Sequence, residues 1–328
     1  MTNKNITIDS PFLLDPVGKD YLWGGNKLRT TFNKNNIKCS PLAETWECSI
    51  HPAGLSRIRQ GVFAGRTLLS VISEYPEILC NAKKQFPLLL KLIDAKEKLS
   101  VQIHPSDEFA QKYENGQLGK TELWYILDAR PDSFIYLGFK SSCGADKIRS
   151  LIANGRLESV LNKIPVKKGD AFLVRPGTVH AIGGGIVLAE VQQNSDITYR
   201  LYDYERRDSY GNLRPLHIEK ALSVMNFVPS DQIIRRVKNI KYDLGLKKEY
   251  IIQCEYFRVD IWTVAKKCNL PKTILNNVIV LCVEGCGILG LSSKGEVFRI
   301  QKGDCFFIPK TEKEYELFGE LKIVLVSF

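Results

Sequence analysis

A Gly-Asp turn, a short apolar segment and a second turn occur twice in this chain, and that duplication limits the folds open to it. The first copy reads Gly169-Asp170-Ala171-Phe172-Leu173-Val174 and continues through Arg175-Pro176-Gly177 to His180. The second reads Gly303-Asp304-Cys305-Phe306-Phe307-Ile308 and continues through Pro309-Lys310-Thr311 to Glu314. Upstream of each lies an apolar stretch expected to form a strand pair, residues 122–138 and 277–290. Most of the remaining chain divides into short strand-like segments between Gly, Pro and Asn turns, the pattern of a β sandwich or barrel. The expected fold is therefore mainly β, with two related barrels over residues 1–240 and 241–328. Helical periodicity is confined to inserts in the first, at about 66–79, 106–113 with Ser106 as N-cap, 145–161 and 216–225. A lysine-rich stretch, 235–249, reads as the seam. In the second copy Thr311 replaces the turn glycine, Glu314 replaces the histidine, and no histidine is present, so that barrel is read as lacking a metal.

Composition narrows the function classes. With 328 residues, 44% hydrophobic and 25% charged, the chain can bury full-sized cores. No apolar run reaches membrane-spanning length, and the polar first ten residues lack the apolar core of a signal peptide, so a cytoplasmic protein is expected. Nine cysteines, an odd number without a CxxC pair, fit reduced thiols. The net charge of +10 comes from scattered residues with only short clusters such as Lys167-Lys168 and Arg235-Arg236. Without an arginine-rich helix or an aromatic-basic platform, a nucleic-acid partner is not expected. A mild positive field does suit a phosphorylated small molecule.

The chain has four histidines, and two belong to one constellation. Gln102 and His104 are two apart, which on a strand turns both to the same face. Glu122 opens the apolar run 123–127, and His180 follows the Arg175-Pro176-Gly177 turn. Two imidazoles, a carboxylate and an amide oxygen form a shell for a divalent cation of the Zn²⁺ type with one open position. Amides are poor zinc ligands, so Gln102 could equally stand behind the ligands and orient them. His51 also precedes a proline, but Ser49, two residues before it, offers no ligand; it is read as structural. His217 opens the fourth helical segment without an evident role. Residues Glu190, Gln192, Asn194, Asp196, Thr198 and Arg200 alternate with less polar neighbours. Such a face is either the solvated side of an edge strand or the lining of a sugar pocket inside a barrel mouth. The Gly183-Gly184-Gly185 turn and the metal motif just upstream favour the pocket.

The Gly-x5-Arg-x-Gly-x2-His stretch from Gly169 to His180 resembles the second motif of the cupin superfamily, small jelly-roll barrels that often hold a metal, with Arg175 in place of the usual proline. A finer resemblance covers more of the chain. Tyr21-Leu22-Trp23-Gly24, Ala43-Glu44-Thr45-Trp46-Glu47, His51-Pro52, Ser100-Val101-Gln102-Ile103-His104-Pro105, Gly119-Lys120-Thr121-Glu122 and Asn194-Ser195-Asp196-Ile197-Thr198-Tyr199-Arg200 come in the order seen in type I mannose-6-phosphate isomerases. The chain is similar to the short form found in Gram-positive bacteria, which lacks the large helical insertion of longer relatives. The resemblance runs to about Leu222 and more loosely to the end.

What this implies is specific. One Zn²⁺ per chain would be held by Gln102, His104, Glu122 and His180. Arg200 would be the catalytic arginine, with Lys120 and Asp196 beside it and Trp23 lining the substrate site. The reaction would interconvert mannose 6-phosphate and fructose 6-phosphate through an enediol or enediolate. Arg200, planar and permanently charged, suits stabilising that anion better than abstracting a proton. Asp196, Lys120 and a metal-bound water remain open as the base. No phosphate-cradling GxxxxGK[ST] loop is present, so scattered Ser, Lys and Arg side chains must hold the phosphate, Ser100 and Lys98 among the candidates. Rival readings are another metal-dependent cupin enzyme, such as an iron oxygenase with more histidines or an open facial triad, and a non-catalytic sugar-phosphate-binding module, against which Arg200 speaks.

Overall fold

A computed structural model describes residues 8–80, 85–208, 210–229, 239–272, 276–291 and 295–328. Its strands form three antiparallel sheets of six, five and ten strands. The six-stranded sheet runs, edge to edge, Ala171–Val174, Glu122–Ala129, Ile186–Gln193, Leu88–Ala95, Glu44–Cys48, Val17–Lys19. The five-stranded sheet runs Tyr199–Tyr202, Val101–Ile103, His180–Ile182, Phe134–Phe139, Leu161–Pro165. Side chains alternate across a strand, so each central strand of the six-stranded sheet serves two interiors. Trp124, Ile126, Ile93 and Leu188 pack with Ile135, Leu137, Ile164 and Ile182 of the five-stranded sheet, closing the first barrel. The alternate residues Leu88, Leu90, Leu92, Leu123, Tyr125, Ala189 and Val191 pack behind it against Val259, Ile261, Ile279, Leu281, Val324 and Val326 of the ten-stranded sheet. This explains why Leu88–Ala95 and Ile186–Gln193 are buried along their whole length.

The ten-stranded sheet supplies the second barrel. Phe12–Asp15 and Arg57–Ile58, from the start of the chain, extend it beyond Cys305–Ile308. Its other face encloses Leu13, Trp262, Val264, Val278, Val280, Phe306, Ile308, Ile323 and Leu325.

The duplicated turns correspond bond for bond. In the first, Gly169 N donates to Ile126 O at 2.9 Å, Ile126 N to Asp170 O at 2.9 Å, and the Asp170 carboxylate accepts from Lys167 N at 3.0 Å. In the second, Gly303 N donates to Cys282 O at 2.8 Å, Cys282 N to Asp304 O at 2.9 Å, and Asp304 accepts from Gln301 N at 3.0 Å. Both glycines have left-handed φ, +90° and +95°, the conformation that penalises a Cβ. The strands that follow also match in register, Val174 opposite Glu122 and Ile308 opposite Val278. The second barrel therefore carries a valine at the place where the first carries Glu122.

Three expectations need correction or extension. Residues 122–138 are not a paired hairpin, because Glu122–Ala129 and Phe134–Phe139 lie in different sheets. Residues 278–290 belong to one strand, Val278–Leu291, with a register shift at Cys282/Glu284. Residues 235–238 of the charged seam, including Arg235-Arg236, lie outside the described residues; from 239 onward the segment is the edge hairpin Asn239–Asp243 and Leu246–Gln253. The four helical inserts are Leu68–Glu74, Asp107–Tyr113, Ala145–Ala153 and Ile218–Val224. Ser106 caps the second through Phe109 N, as its sequence suggests. A fifth helix, Lys27–Phe32, escaped the periodicity reading because six residues are too few to display one. None of the described helices is long and apolar enough to cross a membrane.

Candidate metal centre and pocket

Strand register brings the constellation together. In the five-stranded sheet Gln102 stands between Arg200 on one neighbour and His180 on the other. The three side chains thus form a row across that sheet. In the six-stranded sheet Trp124, Glu190, Lys91 and Trp46 form a second row. The turn ahead of His180 is tied to the first motif by Gly177 N donating to His104 O at 2.9 Å.

Glu122, His104 and His180 meet in the barrel interior, all essentially without solvent exposure. Among the described residues they are the one group of three His, Cys, Asp or Glu side chains whose ligand atoms converge, within 4.8 Å of one another. His104 Nε2 is 3.2 Å from Glu122 Oε1, and His180 Nε2 is 3.9 Å from Oε2. His104 Nδ1 lies 2.8 Å from Ile197 O and His180 Nδ1 2.9 Å from Thr178 O. A carbonyl can only accept, so each Nδ1 carries the proton and each Nε2 presents a lone pair to the carboxylate. Burial lowers both imidazole pKa values, His180 to about 3, and keeps the rings neutral. Burial alone would raise the Glu122 carboxyl, but the Lys120 ammonium beside it holds it well below the usual range. Neither carboxylate oxygen receives a well-aligned hydrogen bond among the described residues. The Lys120 ammonium answers this on the Oε1 side, but the His180 lone pair facing Glu122 Oε2 is repelled unless a cation lies between them. The residues present therefore fit a divalent metal of the nitrogen- and oxygen-binding kind. The Gln102 amide reaches 3.4 Å from His180 Nε2, and Ser100 Oγ holds its other end at 3.2 Å.

Beside this centre opens a pocket of about 250 Å³. Of the sequence candidates, Trp23, Ser100, Gln102, Lys120, His180, Asp196 and Arg200 line it. Lys120 is buried, with Nζ 2.8 Å from Glu122 Oε1 and 3.4 Å from His104 Nε2. Arg200 is half-buried; Nη1 donates to Pro215 O at 2.9 Å, and its buried Nε meets no acceptor among the described residues. Asp196 sits exposed at the rim. Trp23 stacks on Tyr21 at 5.5 Å. Lys98 turns away to Glu158 and the Tyr204 ring. His51 is not among the lining residues; it accepts from Ala53 N at 3.2 Å and packs edge-on to Trp46. His217 has a role that its sequence context hid: Nδ1 accepts from Arg200 N at 3.2 Å while the His217 backbone N–H donates to Arg200 O at 2.7 Å.

The polar alternation does line a pocket, but not as one strand. Glu190 and Gln192 lie on the central strand Ile186–Gln193, and the chain then crosses to the other sheet, where Arg200 sits. Glu190, Asp196, Thr198 and Arg200 reach the cavity. Gln192 turns its amide to the carbonyls of Gln193 and Ser195.

The sequence reading missed Lys91, which has a readable signal: a lysine inside the apolar run 88–93. Lys91 Nζ lies 3.1 Å from Glu190 Oε1 and 3.6 Å from Glu44 Oε2. Trp124 Nε1 donates to Glu190 at 2.9 Å and Trp46 Nε1 to Glu44 at 2.8 Å. Burial opposes the ammonium, yet Glu44 and Glu190 raise its pKa overall. Arg214 also reaches the pocket, held bidentate by buried Asp203 through bonds of 2.7 and 2.5 Å.

A double barrel with a histidine–carboxylate centre in one half defines a cupin-type protein with a candidate metal site. Residues 12–132 match the family model for the catalytic domain of type I phosphomannose isomerase, and residues 247–328 that for the mannose-6-phosphate isomerase cupin domain. The chain is 36% identical to a mannose-6-phosphate isomerase of Streptococcus mutans over 96% of this chain and 97% of that one. It is equally similar to mannose-6-phosphate isomerase ManA of Bacillus subtilis, over 96% and 98%. The crystal structure of the Bacillus subtilis mannose 6-phosphate isomerase superimposes with a TM-score of 0.89 at 33% identity, covering 97% of this chain and 99% of that chain. A zinc-bound mannose 6-phosphate isomerase shares the fold at a TM-score of 0.74 and 18% identity, covering 97% and 99%. This chain belongs to the type I mannose-6-phosphate isomerase family.

Proposed function

We propose that the chain is a zinc-dependent aldose–ketose isomerase interconverting mannose 6-phosphate and fructose 6-phosphate, with one Zn²⁺ held by Gln102, His104, Glu122 and His180. The observation that carries this reading is the convergence of the buried Glu122 carboxylate with the lone pairs of His104 and His180, beside a charged pocket that His180 lines. When bound, the ion would supply a fixed positive charge that offsets negative charge developing on the substrate. Moving hydrogen between those carbons requires removing a proton beside a carbonyl, and the carbonyl oxygen then gains negative charge. Arg200 lines the pocket beside Gln102 on the neighbouring strand, with a buried N–H donor unspent among the described residues, and we assign it to that developing anion. Lys120 Nζ and the Asp196 carboxylate face the same space and are the side chains we propose for proton transfer. Glu190 lines the same pocket and is paired with Lys91 at 3.1 Å. We assign the phosphate to the end of the pocket at Arg214, whose plane Asp203 fixes.

Thorough chelation of the purified protein should abolish turnover of mannose 6-phosphate, and added Zn²⁺ should restore it. Activity indifferent to chelation would exclude the metal role. Arg200→Ala should retain metal, measured by elemental analysis, and lose roughly 100-fold or more in kcat.

A further inference from the structure

The second barrel offers no imidazole, yet one of its side chains reaches the catalytic loop. Tyr256, between the strands Leu246–Gln253 and Arg258–Val264, donates its hydroxyl to Asp107 Oδ2 at 2.7 Å. The other oxygen of Asp107 accepts from Gly119 N at 2.6 Å and from Gln193 Nε2 at 2.9 Å. Gln193 Oε1 in turn accepts from Thr121 N at 2.8 Å, and Gln193 N donates to Thr121 O at 3.2 Å. Lys120 N donates to Pro105 O at 3.1 Å. Every backbone amide of the tripeptide Gly119-Lys120-Thr121 is therefore anchored, and two of the three anchors pass through the Asp107–Gln193 pair. The approach is close: a Cβ on Gly119 would fall 2.5 Å from Asp107 N and from Ser106 C. Gln193 and Lys120 are buried, so solvent does not compete for these bonds.

We infer that Tyr256 is a positioning residue for the isomerisation: through Asp107 and Gln193 it fixes the loop that aims Lys120 at the substrate. A carboxylate held through one oxygen alone keeps more rotational freedom about its last bond than one held through both. The phenol engages the one oxygen that the loop leaves open. Without it Asp107 can turn, Gly119 and Gln193 lose a fixed acceptor, and the Lys120 ammonium moves relative to the reacting carbons. Small displacements of a catalytic group reduce the chemical step far more than they weaken ground-state binding. The inference rests on the role given to Lys120 above.

The test is a double-mutant cycle on the full-length, zinc-loaded enzyme, with Tyr256→Phe, Lys120→Ala and their combination. Tyr256→Phe should lower kcat roughly tenfold, with KM, zinc content and Tm close to wild type. In the Lys120→Ala background the same change should cost almost nothing further, because the group that it positions is gone. Asp107→Asn, which keeps the shape and alters the acceptor pattern, should show the same lack of additivity. If the losses multiply, or Tyr256→Phe turns over at the wild-type rate, the inference is overturned while the isomerase reading stands. If Lys120→Ala itself keeps wild-type turnover, the role of Lys120 fails first, and this inference with it.

Discussion

Lys91 shows how a single side chain can be legible and still be passed over. It interrupts a run of leucines on a strand buried along both faces, so its ammonium must be neutralised from inside the barrel, and Glu44 and Glu190 do this. Removing one partner of a buried charged group leaves the others uncompensated. Lys91→Met should therefore lower stability by about 3–5 kcal/mol, read as a shift in the urea midpoint, besides affecting turnover. Asp203 makes a prediction about pH. Burial pushes its carboxyl up, but the hydrogen bonds from Arg214 and Arg206 outweigh that and hold it below its ordinary 3.8. The folded protein then gives up this proton more readily than the unfolded chain does. The stability it confers is complete above that ordinary value and disappears as the pH falls through the folded one. Asp203→Asn should be less stable at neutral pH, and its stability should vary less steeply with pH below about 4. An acid-unfolding series on both proteins checks this.

Among the elements, the turns were the most readable because glycine and aspartate have steric and hydrogen-bonding reasons to stand where they do. Gly169-Asp170 and Gly303-Asp304 form the same bonds, but their surroundings differ. A Cβ on Gly169 would meet open space, whereas one on Gly303 would fall 2.0 Å from Phe32 O. Gly169→Ala should cost only the left-handed backbone penalty, about 1–2 kcal/mol. Gly303→Ala must also displace the end of the helix Lys27–Phe32, and chemical denaturation should find it clearly the worse of the two. Equal losses would contradict the packing. That helix was illegible because its N-cap, Asn26, makes no side-chain capping bond and its length hides any period. The alternation from Glu190 to Arg200 was legible as a list of pocket positions and misleading as a strand. Period-two patterning reports which residues face a cavity but is blind to a chain that changes sheets midway.

For the whole molecule, the repeat correctly announced two barrels but not that they share a core. We propose that the division near residue 240 separates the site-bearing barrel from the other. The two nevertheless pack one continuous apolar cluster between their sheets, and the chain start, Phe12–Asp15, pairs with Cys305–Ile308. The buried Lys34–Glu47 pair lies on this seam, with Lys34 also donating to Gly303 O at 2.5 Å. Calorimetry should accordingly record a single unfolding transition, and residues 1–240 alone should not give a cooperative one.

The six-stranded sheet acts as a party wall with rooms on either side and no outdoors. A methyl group added or removed at Leu90, Leu92, Ala189 or Val191 cannot be absorbed by solvent, so it must nudge the strands whose opposite faces carry Lys91 and Glu190. Laboratory selection for a changed sugar preference should therefore recover variants at these concealed sites, none of which a ligand could ever touch, alongside those in the pocket.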